Sequence, residues 1–88
     1  MVVRGRVQGV GYRWFVCDVA SGRGLSGWVR NRRDGSVEAE LHGADAAVEA
    51  ALSAMARGPA AARVDDITVD DVAVSDLSAI RLEIRPTD

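Results

Sequence analysis

The chain has 88 residues, 48% of them hydrophobic, with a formal net charge of -2 and a pI near 5.3. That describes one domain, residues 1–88, too apolar for intrinsic disorder and short enough to need a compact two-layer core. A single cysteine, Cys17, excludes an intrachain disulfide framework, and no apolar run reaches the length of a membrane span.

The first predicted strand is Val2 to Val7, with Val3, Gly5 and Val7 on one face and Arg4 and Arg6 on the other. It starts almost at the first residue, so its edge is expected to be frayed or trimmed. Gly5-Arg6-Val7-Gln8-Gly9-Val10-Gly11-Tyr12-Arg13 then carries the chain through a glycine loop into a helix from about Arg13 to Arg23. Tyr12, Phe15, Val16, Val19 and Arg23 keep helical spacing, and Gly24 suits the C-terminal cap. Cys17 flanks that stripe with no histidine nearby in sequence, so a packed, inert thiol is expected.

The second strand is Leu25 to Asn31, and Arg32-Arg33-Asp34-Gly35 forms a hairpin turn with Asp-Gly as its strongest cue. Ser36 to His42 is the third strand, where Val37, Ala39 and Leu41 alternate with Glu38 and Glu40. A second helix follows from about Ala46 to Arg57, with Asp45 as its expected N-cap. Val48, Ala51, Leu52 and Met55 form its apolar stripe, and Gly58-Pro59 stops it. The fourth strand spans about Val64 to Val74. Its alternation changes phase between Ile67, Val69 and Val72, Val74, which predicts a bulge near Asp70-Asp71. A short last strand covers Ile80 to Arg85, ended by Pro86. The order βαββαβ plus a short strand predicts an α+β, ferredoxin-like two-layer sandwich, with two helices on one face of a mostly antiparallel sheet.

The loop after the first strand is the place to look for chemistry. Gly9 and Gly11 allow backbone angles closed to other residues, and the N–H groups of Gly9, Val10, Gly11 and Tyr12 can line a concave anion seat. The helix N-terminus adds partial positive charge, and Arg13 offers a planar fork for two phosphate oxygens. Better-known phosphate motifs do not fit. The chain has no lysine for a Walker loop, and Trp14 stands where a dinucleotide fingerprint needs its third glycine. From the glycines alone, an ordinary strand-to-helix turn with a surface arginine competes equally.

A second stretch shifts the balance between them. Gly27-Trp28-Val29-Arg30-Asn31 is followed by Gly35, Val37 and Gly43. Together with Gly5 to Arg13, it resembles the two motifs of the acylphosphatase family, in the same order and spacing. The resemblance implies that Arg13 holds the substrate phosphate and that Asn31 places the attacking water. It implies hydrolysis of acyl phosphates to a carboxylate and inorganic phosphate, without metal or cofactor. A substrate phosphate oxygen is then expected to take the water's proton. Asn31 suits its role, because a carboxamide both donates and accepts yet cannot serve as a base near neutral pH. An acyl phosphate is already activated, so positioning and charge stabilisation are the main tasks. The competing roles are an Arg13–Asp18 salt bridge and an Asn31 cap on the turn.

Charge is distributed in keeping with an anionic ligand. Residues 1–33 carry seven arginines against one acid, a balance of +6, whereas residues 34–88 carry four arginines against twelve acids, -8. Arg30, Arg32 and Arg33 either steer anions or form a solvated patch. Trp28 either covers the open face of the sheet or lines the mouth of the site. His42 and Asp34 are assigned to a strand end and a turn. The expected protein is a cytoplasmic monomer acting on a small molecule, with phosphate as product and inhibitor, and with no membrane or nucleic-acid partner. Two alternatives remain. An RNA-binding ferredoxin-like sheet has too few aromatics here and too low a pI. A phosphate- or carbamoyl-phosphate-binding module, as in hydrogenase-maturation proteins, would need a larger partner, and the chain ends at Asp88.

Overall fold

The computed structural model describes residues 1–70 and 82–87. Its elements are β1 (Val2–Arg6), α1 (Tyr12–Ser21), β2 (Ser26–Asn31), β3 (Val37–His42), α2 (Asp45–Arg57), β4 (Arg63–Thr68) and β5 (Leu82–Ile84). The five strands form one sheet in the order β4-β1-β3-β2-β5, antiparallel throughout except for the parallel pair β2–β5. This is the expected ferredoxin-like arrangement with a fifth strand added beside β2.

Both helices cover one face, and strand alternation decides which residues they bury. Val3 and Val7 near β1, Val29 of β2 and Val37 and Ala39 of β3 are buried with Tyr12 and Val16 of α1 and Met55 of α2. Val19, Ala20, Leu25, Ala51 and Ala54 form a second cluster between the helices and the sheet. The opposite face is polar and cross-linked along the β2–β3 register. Trp28 Nε1 donates to Glu40 Oε2 at 2.9 Å, and Arg30 donates to Glu38. The Arg30 and Arg85 guanidiniums lie 4.9 and 4.8 Å from the Trp28 ring centroid. Trp28 therefore covers the open face.

Several boundaries differ from expectation for local reasons. Asp45 is the first helical residue of α2, and the N-cap is Ala44 with no side-chain cap bond. An acid in the first turn still complements the helix dipole. At the end of α1, Gly24 takes φ 68, the Gly24 N–H bonds to Ser21 O, and the Leu25 N–H bonds to Ala20 O. That pair of bonds is a Schellman closure, so Gly24 serves as anticipated. β4 stops at Thr68, and Val69 beyond it is 50% exposed. The register slips where Arg4 pairs with Asp66 but Gly5 with Val64, leaving Asp65 as the extra residue. This bulge puts Val64 and Ile67 on the core side despite their odd spacing. Asp71 of the expected bulge near Asp70-Asp71, the residues from there to Val74 and the start of the last strand at Ile80 lie outside the described residues. The first strand is not frayed: Met1 O accepts from the Ala39 N–H, and the Met1 amino group donates to Ala39 O at 2.8 Å.

Candidate active site

β1 leads through buried Val7 into the loop Gln8–Gly11, where the chain turns into α1. Gly9 and Gly11 take φ 74 and 77, in the left-handed region that side chains resist. A Cβ at either position would meet nothing within 4 Å, so the loop borders open space. Gly11 is the N-cap of α1 and supplies no side-chain bond to the first turn. The positive end of the helix is therefore left to an outside acceptor. Val10 packs against the core and anchors the loop. Tyr12 is also core, 1% exposed, with its hydroxyl donating to Met55 O at 2.8 Å, so only its backbone is available to a ligand.

Arg13 follows directly on the first turn and is half-buried. Among the described residues it forms no ion pair, and Asp18 does not engage it. Asn31 ends β2, pairing with Val37 of β3. Alternation puts Asn31 on the same face as buried Gly27 and Val29, the face that the helices cover. β1 and β2 both run antiparallel to β3, so their C-terminal ends lie at one end of the sheet. The loop, the start of α1 and Asn31 thus share one end and one face. The Asn31 side chain makes no hydrogen bond among the described residues, so it does not cap the turn.

That turn is held by Asp34, whose Oδ1 accepts from the Ser36 N–H at 2.9 Å and from Ser36 Oγ at 2.5 Å. The Ser36 hydroxyl bond is the main cause holding the Asp34 carboxyl below its ordinary range. The arginine cluster divides: Arg30 belongs to the open face, Arg32 is half-buried and Arg33 is exposed. Burial, helped by Asp18, pushes the Cys17 thiol up, away from the thiolate that reactivity requires. His42 pairs with Glu40 on the open face. One residue of the site was not singled out from sequence. The Gln8 side chain spans from the loop to the β2–β3 hairpin, with Nε2 donating to Arg32 O at 2.6 Å and to Ser36 O at 2.9 Å. Its position inside the first motif was the signal available.

A cleft of about 570 Å³ opens elsewhere, between β3 and α2. Glu38, Glu40, Asp45, Glu49 and Asp70 line it, a setting that repels phosphate. Among the described residues, no three His, Cys, Asp or Glu side chains are grouped as metal ligands. Nor is any described helix long and apolar enough to cross a membrane.

The acylphosphatase family model matches residues 1–78. The chain belongs to the acylphosphatase family. It is 57% identical over 74 residues to the acylphosphatase of Rhodospirillum rubrum, covering 84% of this chain and 81% of that one. Among solved structures, the acylphosphatase of Bacillus subtilis superposes with a TM-score of 0.89 at 40% identity, covering 96% of this chain and 92% of that one. The structure of T. kodakarensis HypF contains a similar unit, with a TM-score of 0.86 at 29% identity, spanning 100% of this chain but 12% of HypF. The acylphosphatase relatives thus match over most of their own length, whereas the larger protein matches over a small part.

Proposed function

We propose that the chain hydrolyses the carboxyl-phosphate bond of acyl phosphates, with Arg13 and the loop amides holding phosphate and Asn31 placing water. The acylphosphatase relatives support the reaction. The carrying observation for the residues is that a doubly left-handed glycine loop, an uncapped helix start and an uncommitted Arg13 share one end and one face of the sheet with Asn31. The N–H groups of Gly9, Val10, Gly11 and Tyr12 and the positive end of α1 receive the phosphate dianion. Arg13 takes two of its oxygens and stabilises the charge as the bond to the carboxylate stretches. Asn31 accepts from the attacking water and directs its lone pair at phosphorus. Water forms the new P–O bond, and the P–O bond to the acyl oxygen breaks. The leaving carboxylate needs no proton, and a phosphate oxygen takes the proton lost by water. No metal or cofactor is required in this scheme.

The enzyme so described is a cytoplasmic monomer whose ligand is a small molecule. Trp28, the aromatic side chain on the described open face, is flanked by Arg30 and Arg85 and bonded to Glu40, which disfavours stacking on a nucleic-acid base. The direct test is hydrolysis of benzoyl phosphate in excess EDTA. Undiminished turnover, inhibited competitively by inorganic phosphate, is expected. Loss of activity restored only by a divalent cation, or tight phosphate binding without turnover, would overturn the proposal.

A further inference from the structure

The two halves of the proposed site sit on strands that do not touch. β3 lies between β1 and β2, so no ladder hydrogen bond joins them directly; they are linked through β3, where Val3 and Asn31 both pair with Val37. Gln8 bridges that gap directly. It immediately precedes Gly9, and its Nε2 donates to Arg32 O and Ser36 O, 24 and 28 residues further along the chain. Arg32 follows Asn31, and Ser36 precedes Val37, the β3 partner of Asn31. One carboxamide therefore grips both chain segments that flank Asn31. The grip is on a stiff object. The Arg32 N–H bonds to Ser36 O at 2.8 Å, and Asp34 locks Ser36 from the other side. Both donors of the Gln8 amide are spent on these carbonyls, so none is left to aim at a ligand.

We infer that Gln8 is a positioning residue: it sets the distance and angle between bound phosphate and the water held by Asn31, with no N–H left to donate to either. This rests on the Arg13–Asn31 reading of the site. Loss of the strap leaves the loop, Arg13 and α1 intact as a phosphate holder, because these are consecutive in the chain. What drifts is the line of attack, and a shift near 1 Å is worth on the order of a hundredfold in rate. The signature is a fall in kcat with no matching loss of phosphate affinity.

Two variants test it. Gln8→Met keeps length and volume but donates nothing. Its kcat on benzoyl phosphate is expected to fall by about tenfold or more, with the inhibition constant for inorganic phosphate within about twofold of wild type. Gln8→Glu places a carboxylate against two carbonyl oxygens at neutral pH, but once protonated it has an O–H to donate to one of them. Its activity relative to wild type is therefore expected to recover as pH falls toward about 5, near and above the ordinary Glu range. Should Gln8→Met fail to fold, the Gln8→Glu pH profile decides. Unchanged kcat in Gln8→Met, equal losses in kcat and phosphate affinity, or a Gln8→Glu defect independent of pH would each overturn the inference. Failure of the underlying site is distinguishable: Asn31→Ala would then keep its turnover, whereas here it loses turnover whatever Gln8 does.

Discussion

Tyr12 shows how one side chain serves both stability and the site. Its ring is buried in the core, while its backbone belongs to the anion loop. Its hydroxyl satisfies Met55 O, one of the last-turn carbonyls of α2 that the helix itself leaves without a partner. Burial pushes the phenol up from 10.0 to about 12. The folded state thus favours the neutral phenol, so the stability it contributes is complete below pH 10 and is lost as pH rises through about 12. Tyr12 is the chain's one tyrosine, so phenolate absorbance reports it alone. The native chain should titrate near 12 and the chain in urea near 10; a native midpoint near 10 would contradict this placement. Tyr12→Phe should cost about 1–3 kcal/mol by stranding the Met55 carbonyl. In a domain of this size, each kcal/mol appears as a melting-temperature drop of about 4–8 °C.

At the scale of elements, β2 and β3 approach so closely that Gly27 has no room for a side chain. A Cβ there would collide with the Glu40 carbonyl, and the backbone sits at φ 132. Gly27→Ala should therefore force the pair apart and cost about 1–3 kcal/mol, seen as a lower urea midpoint. Wild-type stability would contradict the register. Strand and helix positions were legible in the sequence because apolar periods of two and near four alternate cleanly along it. The sheet order was not, since it depends on pairings across the molecule. The bulge at Asp65 was not anticipated, because Val64 and Ile67 look out of phase until Asp65 is removed from the count. Arg13 and Asn31 could be named from the motifs, and the open-face role of Trp28 needed its neighbours Arg30, Arg85 and Glu40. Gln8 was opaque: a side-chain bond to a carbonyl 24 residues away leaves no periodic trace.

Over the whole molecule, topology does what neither motif can do alone. With β1 and β2 parallel and β3 between them, the residues that leave their C-terminal ends lie at one end of the sheet, the end where α1 begins. Seven arginines fall in residues 1–33, the part of the chain that carries both motifs, while the acids concentrate in the rest of the chain, several of them around the cleft between β3 and α2. On the proposed reading, phosphate favours the loop over the acidic cleft. The division of labour at the loop is tested by a paired measurement of kcat and of inhibition by inorganic phosphate in Arg13→Ala and Asn31→Ala. A crossed pattern is expected. Arg13→Ala should lose phosphate inhibition and turnover together, whereas Asn31→Ala should keep its phosphate inhibition constant within about twofold while kcat falls about a hundredfold or more. Near-normal kcat in Asn31→Ala, or intact phosphate affinity in Arg13→Ala, would contradict it.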